Sequence, residues 1–247
     1  MTERIGDLFI EQTKYRHLEP SDQEKKVPQP PLFKRYRDGD ANSLPAPSSL
    51  KFDQMNLQQA IESRRSVRAY ADTSFTLEQL SYLLWTTQGV KPESTERFTL
   101  RTVPSAGARH PFETLILVNR VEGLEPGLYQ FDAETHSLIR WTADPDIAEK
   151  LTQACLGQQM IQRCAVALFW VADRYRMAWR YGERGMRYIH LDAGHVCQNA
   201  YLAAESLGAG ACAIGAYLDD EVNGLLGLDG SDHFTAYIAT VGIKQAA

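Results

Sequence analysis

The feature that most constrains the fold is a set of short, continuous apolar segments with the length of β-strands. They are Thr114–Val118, Ala165–Ala172 and Thr235–Val241. A continuous apolar run of this length is typical of a strand whose two faces are both covered by other elements. The chain is therefore predicted to build a buried sheet, and at 247 residues it is long enough for a substantial core.

Two further strands are predicted on either side of a turn. Leu128–Phe131 and Ser137–Trp141 flank the turn-forming residues Asp132-Ala133-Glu134-Thr135, which is a hairpin pattern. Helical patterns precede this hairpin, and a helix and a last strand follow it. This order favours an α+β domain with a largely antiparallel sheet flanked by helices over a doubly wound parallel sheet.

The helical patterns are regular enough to give approximate bounds. An apolar stripe on Leu57, Ala60 and Ile61 predicts a helix that ends at a run of arginines, and Thr76 predicts a capped start for a helix that stops at Gly89. Helices are also expected over 6–14, 147–155 and Met186–Leu207. The last of these is rich in Ala and Gly, so another helix could pack unusually close to it.

Residues 1–50 differ from the rest of the chain. Six prolines interrupt a polar, charge-rich stretch without helical or strand periodicity. This composition predicts an extended, Pro-rich N-terminal arm, either wrapped over the body or partly disordered. The body is expected to begin near Phe52, which divides the chain into an arm, 1–50, and one domain, 51–247.

Composition excludes several functional classes. The net charge of −5 argues against general nucleic-acid binding, which requires a basic surface. No apolar run approaches the roughly 20 residues that span a bilayer, and no signal-peptide pattern is visible, so the expected location is the cytoplasm. The four cysteines have no CxxC spacing and are expected to be buried, reduced thiols. His190 and His195 lie five residues apart, on different faces of a helix, so no metal site is expected.

Two segments carry most of the functional signal. The first is Arg64-Arg65-Ser66-Val67-Arg68-Ala69-Tyr70, which places three guanidinium groups and a hydroxyl within five positions. Such a group can bind a phosphate through bidentate, charge-assisted hydrogen bonds. The alternative is a solvated helix end with favourable charge at its C-terminus.

The second segment is Val103-Pro104-Ser105-Ala106-Gly107-Ala108-Arg109-His110-Pro111. It is a small-residue turn that leads into an apolar strand, where backbone can approach a flat ligand closely. Taken alone, a turn of this kind is more often an ordinary loop, because such turns are common. Together the two segments indicate a bound phosphorylated cofactor.

A third segment, Asp173–Arg187, interleaves five arginines with aromatic residues. It can be interpreted as a nucleic-acid patch with stacking platforms. It can also be a helix and loop that cover an active site, with arginines paired to Asp173, Glu183 and Asp192, or a contact for an anionic substrate or a flavin. The segment 208–215 is glycine-rich, but its glycine spacing is wrong for a dinucleotide fold and a helix precedes it.

Several blocks now match one pattern in the right order. Besides the arginine run and the small-residue turn, they are Val121-Glu122-Gly123-Leu124-Glu125-Pro126-Gly127-Leu128-Tyr129, Gly194-His195-Val196-Cys197-Gln198-Asn199 and Ala211-Cys212-Ala213-Ile214-Gly215-Ala216. With these blocks the chain resembles the nitroreductase-like flavoprotein superfamily and, within it, the SagB-type dehydrogenases. The resemblance covers roughly 55–241, and the arm is similar too.

The resemblance implies an FMN-dependent oxidoreductase that forms an intertwined homodimer with two identical flavin sites at the subunit interface. By position, Arg64, Arg65, Ser66 and Arg68 would hold the FMN phosphate and ribityl chain. Pro104, Ser105, Ala106 and Gly107 would lie along the isoalloxazine from the partner subunit. Ala213, Ile214 and Gly215 would approach the ring from its other side and offer a backbone N–H near N5. The long small-residue helix would lie at the dimer core.

The resemblance also suggests catalytic residues. In relatives that oxidise azoline rings of modified peptides, a Lys-Tyr pair removes the proton, and the matching pair here is Arg180-Tyr181. A guanidinium stays protonated near neutral pH, so Arg180 would orient a substrate rather than act as a base. Tyr181 would then donate or accept the proton.

The implied reaction is hydride transfer through flavin N5, to or from a small organic or heterocyclic substrate. Azoline dehydrogenation and reduction of nitro or quinone compounds both stay open, and NAD(P)H is one candidate electron donor. The alternative from another class is a non-catalytic scaffold subunit of a peptide-modifying complex, to which the Pro-rich arm would be suited.

Overall fold

The computed structural model describes residues 4–50 and 55–245, which form a series of helices and strands. In chain order they are α1 (Ile5–Gln12), β1 (Ala41–Ser43), α2 (Leu57–Ser63), α3 (Leu77–Gln88), β2 (Phe112–Val118), β3 (Gly127–Asp132), β4 (Ser137–Thr142), α4 (Ile147–Ala154), α5 (Met160–Arg163), β5 (Val166–Asp173), α6 (Arg174–Tyr181), α7 (Gly185–Ser206), β6 (Ala209–Ile214), α8 (Asp219–Leu225) and β7 (His233–Ile243).

In the described residues, seven strands form one sheet in the order β1-β4-β3-β2-β5-β7-β6. Every neighbouring pair is antiparallel, which confirms the predicted α+β class. The apolar runs become β2, which is the central strand, and β5 and β7, which follow it toward the β6 edge of the sheet. Their side chains alternate between two core layers, as the period of two in a strand requires. One layer lies against α3 and α7, and the other against α4, α5 and α8.

The predicted helices are present within a few residues of their expected bounds. α3 begins at a capping box, in which the Thr76 hydroxyl accepts the Gln79 N–H and the Gln79 side chain accepts the Thr76 N–H. α2 stops at Ser63, before the arginine run. Of the stripe on α2 only Ala60 is buried, while Leu57 and Ile61 are exposed in the single chain.

Several elements were not predicted, and β6 is the most important of them. Its sequence, Ala-Gly-Ala-Cys-Ala-Ile, has one β-branched residue, Ile214, and no aromatic residue, so it gives little of the signal that marks a strand. It forms because it pairs along its length with β7, from Ala209 opposite Ile243 to Ile214 opposite Ile238. The short β1 and the helices α6 and α8 were also missed as defined elements.

The described part of the arm wraps over the body. Near α6, the Gln23 N–H donates to the Trp179 carbonyl at 2.8 Å, and the indole N–H of Trp179 donates to the Val27 carbonyl at 2.9 Å. Further along, the Lys34 N–H donates to the buried Glu113 carboxylate at 3.0 Å. The arm then adds β1 to the edge of the sheet beside β4. The expected start of the body, Phe52, lies outside the described residues.

All four cysteines are buried and free. Burial raises the pKa of Cys155, Cys164 and Cys197 to about 12, so these thiols stay protonated near neutral pH. Within 4–50 and 55–245, none of the helices combines the length and apolar character needed to cross a bilayer.

Candidate functional site

The arginine run leaves helix α2 and follows the edge of the sheet. Arg64 caps α2 with extended backbone, and the Val67 N–H then donates to the Ala211 carbonyl of β6 at 2.9 Å. Glycine at position 210 permits this approach, because a Cβ there would lie 2.5 Å from the Val67 side chain. The run is therefore held against β6 rather than being the last turn of a helix.

A groove of about 390 Å³ lies along this run. Arg65, Ser66 and Arg68 line it together with Lys244, which comes from the end of β7. Among the described residues, no carboxylate lies within ion-pair distance of Arg65 or Arg68, while Lys244 Nζ is 2.6 Å from the buried Glu205 carboxylate. Unpaired guanidinium groups beside a hydroxyl fit a phosphate monoester, so the groove has the chemistry to hold a group of that kind.

Tyr201 of α7 ties the run to the sheet. Its buried hydroxyl lies 3.0 Å from the Ser66 Oγ and accepts the Ala213 N–H at 2.8 Å. The Arg64 guanidinium lies over the same ring, 5.3 Å from its centroid. Tyr201 and Lys244 were not predicted from the sequence, since neither belongs to a local motif and each reaches the run only through the fold.

One of the backbone N–H groups of Ala213–Gly215 is already occupied in the fold. The Ala213 N–H already donates to Tyr201, so it is not available to a cofactor. Successive backbone groups of a strand alternate in direction, so the next amide on that side belongs to Gly215. Gly215 follows the end of β6 and is exposed, which makes its N–H the better candidate donor.

The small-residue turn is held in an unusual backbone conformation. Gly107, Ala108 and His110 all have positive φ, at 56°, 53° and 43°. The Ser105 Oγ accepts the His110 N–H at 2.8 Å, which closes the turn. Non-glycine residues adopt this left-handed region at a cost, so the surrounding structure must hold the turn in place.

Asp192 of α7 is the main support of this turn. Its Oδ1 accepts the Ala106 N–H at 3.2 Å, and its side chain is 4% exposed. Burial raises the pKa of Asp192, and hydrogen bonds from Ser105 and Ala106 oppose the shift. The expected pairing of Asp192 with an arginine is wrong, because the carboxylate faces the turn. The other two expected pairs are present, Asp173 with Arg176 at 3.6 Å and Glu183 with Arg174 at 3.3 Å.

Arg180 and Tyr181 lie directly on the same turn. A Cβ at Gly107 would be 2.8 Å from the Arg180 Nε and closer still to the Tyr181 hydroxyl. The Tyr181 ring packs edge-on against Tyr188, with 4.8 Å between centroids. The fold thus places the candidate catalytic pair against the turn 104–107.

Helix α7 separates the two groups of candidate residues within one chain. Asp192 supports the turn and Tyr201 supports the arginine run, and these residues are nine positions apart (192 to 201). At the α-helical rise, nine positions correspond to about 14 Å. The arginine run and the turn therefore form two separate clusters, each held by a different part of α7.

Comparison with known proteins identifies the family. A model of the family described as "Nitroreductase family" matches residues 61–243. The chain belongs to the nitroreductase family. It is 37% identical over 188 residues to a Methanocaldococcus jannaschii protein named as a nitroreductase, MJ1384, an alignment that covers 76% of this chain and 91% of that protein.

Solved structures of this family share the fold. A Ralstonia eutropha protein described as a nitroreductase has a TM-score of 0.69 at 23% identity, with 90% of this chain and all of that chain covered. A Desulfovibrio desulfuricans structure described as a nitroreductase in complex with FMN has a TM-score of 0.54 at 20% identity, with 79% of this chain and 92% of that chain covered.

Two further similar proteins are named as part of a synthetase complex and as a processing protein. A chain of the Escherichia coli microcin synthetase McbBCD complex has a TM-score of 0.64 at 20% identity and covers 97% of this chain and 87% of its own length. The trifolitoxin-processing protein TfxB of Rhizobium leguminosarum is 30% identical over 133 residues, which span 52% of this chain and 36% of TfxB.

Proposed function

We propose that this nitroreductase-family oxidoreductase depends on FMN and transfers hydride to or from a small organic or heterocyclic substrate. The observation that carries the proposal is the groove beside β6, where Arg65 and Arg68 lack carboxylate partners among the described residues and lie next to Ser66 and Lys244. An acidic protein that concentrates unpaired cations in one groove is suited to an anionic group. Bound FMN would supply the hydride chemistry, while the protein supplies position and electrostatics.

Within this proposal the arginine run holds the phosphate and ribityl chain. Arg64, Arg65, Ser66 and Arg68 keep the roles expected from the sequence, and Lys244 adds a fourth cation. Ser66 is oriented by the Tyr201 hydroxyl, 3.0 Å from its Oγ. A dianionic phosphate would relieve the mutual repulsion among these cations.

The turn and α6 supply the substrate side. Pro104, Ser105, Ala106 and Gly107 would lie along the isoalloxazine, and the exposed Gly215 N–H would face the ring near N5. Arg180 would orient the substrate and Tyr181 would hold or release the proton at its hydroxyl. The contact of both side chains with Gly107 supports this arrangement.

The same proposal includes a homodimer in which the arginine run of one copy meets the turn of the other. The separation of the two clusters along α7 and the exposed apolar side chains of α2 support it. We also propose that the protein belongs to the SagB-type subgroup and that NAD(P)H is one electron donor. The free thiols support a cytoplasmic location. The proposed domains are an arm, 1–50, and an FMN-binding domain, 51–247.

The test is the visible spectrum of the purified protein. We expect yellow absorbance, release of FMN on denaturation, and bleaching by a chemical reductant. An electron-donor screen that includes NADH and NADPH, followed at the flavin band, would then identify the donor. A colourless protein that cannot take up added FMN would contradict the proposal.

The second candidate is a non-catalytic scaffold subunit of a peptide-modifying complex. The likeness to a chain of the McbBCD complex, which extends over 97% of this protein, favours it. A scaffold has no need for a cationic groove, so the two functions differ in one observable. Stable complex formation without FMN binding would favour the scaffold, and FMN binding with turnover would favour the enzyme.

A further inference from the structure

The three arginines of α6 differ in whether a carboxylate lies beside them. Arg174 and Arg176 have carboxylates, since Arg176 lies 2.8 Å from Glu113 and Arg174 lies 3.3 Å from Glu183. Arg180 differs. Among residues 4–50 and 55–245 it has no carboxylate or hydrogen-bond partner, and its guanidinium lies over the Tyr181 ring at 5.6 Å.

A second guanidinium without a carboxylate lies beside it. Arg109 is 3% exposed, and its Nε is buried without a hydrogen-bond partner in the described part of the chain. Its guanidinium stacks over Trp179, the residue before Arg180, at 5.1 Å. Burial lowers the pKa of Arg109, and the positive charges of Arg180 and Arg176 lower it further. Burying a charge without a counter-ion is costly, so this place favours an anion.

Arg180 also lines a cavity between the end of α6 and the arm. It has a volume of about 460 Å³, which is within the usual range for small-molecule sites. Arg180, Tyr181 and Arg184 form one wall, and the arm forms the other with Tyr15, Leu18 and Pro20. The rings and apolar side chains suit a flat organic body.

The charges of the cavity are distributed unevenly between its walls. Glu19 and Glu24 line the arm side, and the Glu24 carboxylate is occupied by the N–H and hydroxyl of Ser21, at 2.7 and 2.9 Å. Arg184 donates to the Thr13 carbonyl and the Tyr188 hydroxyl, both at 2.8 Å. Within the described residues, Arg180 is thus the cation of this cavity that keeps all its donors for a ligand.

We propose that Arg180, backed by Arg109, binds the carboxylate of a small aromatic or heteroaromatic acid, whose ring lies between Tyr181 and the arm residues Tyr15 and Leu18. A guanidinium fork matches a carboxylate bidentately. This inference rests on the proposed function only in naming the acid as the substrate. It places the acid against the turn at Gly107, where the proposed cofactor ring would be accessible to it.

The test compares two probes of the same shape, benzoate and benzamide, by calorimetric titration of the purified 247-residue protein. We expect benzoate to bind at least tenfold more tightly than benzamide, and Arg180→Gln to remove this preference. The matched control is Arg163→Gln, which removes an exposed arginine on α5 and should keep the preference. Arg109→Gln should also weaken benzoate, but Arg180→Gln carries the test if the buried variant fails to fold.

Three outcomes would overturn the inference. They are equal binding of the two probes, an unchanged preference in Arg180→Gln, and displacement of benzoate by inorganic phosphate of equal affinity, which would make the site a general oxyanion site. Preference for benzoate in a protein that takes up no FMN would retain the acid site and contradict the proposed function. FMN-dependent turnover in which 4-nitrobenzoate and 4-nitrobenzamide are used equally well would support the proposed function and contradict the acid site.

Discussion

The positive charge of Arg68 is expected to contribute to binding of the proposed cofactor. The side chain lines the groove beside β6 and has no carboxylate within reach among the described residues. We expect Arg68→Ala to weaken FMN binding by about 1.5–3 kcal/mol, the usual worth of one charge-assisted hydrogen bond. Titration of the apoprotein with FMN, followed by flavin fluorescence, measures the change. Arg163→Ala should leave the affinity unaltered, and an unaltered affinity in Arg68→Ala would remove the groove as the phosphate site.

Gly107 and Gly123 both have positive φ but differ in their surroundings, so alanine variants of the two can distinguish the effect of backbone strain from the effect of close packing. Gly123 has φ of 77° and open space where a Cβ would lie, whereas Gly107 has φ of 56° and contacts Arg180 and Tyr181. Alanine at either position costs about 1–2 kcal/mol for its left-handed backbone. Only Gly107→Ala also displaces the two side chains on the turn.

We therefore expect Gly107→Ala to lower kcat/KM at least tenfold while Gly123→Ala leaves it near the wild-type value. Urea unfolding of both variants shows the shared backbone cost. Equal turnover by the two variants would mean that the positions of Arg180 and Tyr181 do not matter for the reaction.

The buried His110 makes stability depend on pH. Burial lowers the pKa of His110 to about 3, and the charge of Arg101 contributes in the same direction. Below pH 6.5 the His110 imidazole becomes protonated in the unfolded chain, whereas in the folded protein it stays neutral down to about pH 3. The free energy of unfolding should therefore be greatest above pH 6.5 and fall as the pH decreases, by up to about 1.4 kcal/mol per pH unit.

His136 adds a fall of the same sign, since burial lowers its pKa too. Urea unfolding between pH 6 and 5, where most carboxylates stay ionised, measures the slope. His110→Gln should flatten it relative to the wild type, even if the variant is less stable overall. An equal slope in both proteins would show that His110 titrates normally in the folded state.

At the scale of elements, local patterns predicted whatever depends on local physics. The capped start at Thr76 and the apolar runs in β2, β5 and β7 follow from hydrogen bonding and burial within a few residues. β6 could not be predicted this way, because alanine and glycine carry no strand signal and the strand exists through its pairing with β7.

The candidate site shows the same division. Arg64, Ser66 and Gly107 stand in recognisable motifs, and the resemblance assigned them roles. Lys244 reaches the groove only because β7 pairs with β6 beside the arginine run, and Tyr201 reaches Ser66 only because α7 packs there. Contacts between residues over a hundred positions apart depend on sheet order, which no local pattern contains.

At the scale of the whole molecule, helices α2 and α7 carry large apolar side chains that are exposed in the single chain. Leu57 and Ile61 of α2 are 65% and 56% exposed, and Leu191 of α7 is 60% exposed. α2 packs against α7, so these side chains belong to neighbouring elements. Burying a leucine in an interface contributes roughly 1.5–3 kcal/mol, which favours an association of two copies that covers these side chains.

We expect the wild-type protein to be a dimer by light scattering at micromolar concentration and Leu191→Asp to be a monomer, since an unpaired carboxylate in an apolar interface is costly. If the site is shared between copies, the monomer should also lose FMN. Leu156→Asp is the matched control, because Leu156 is 56% exposed and follows α4, on the other side of the sheet. It should stay dimeric and keep FMN, and a wild-type monomer that holds FMN would contradict the shared site.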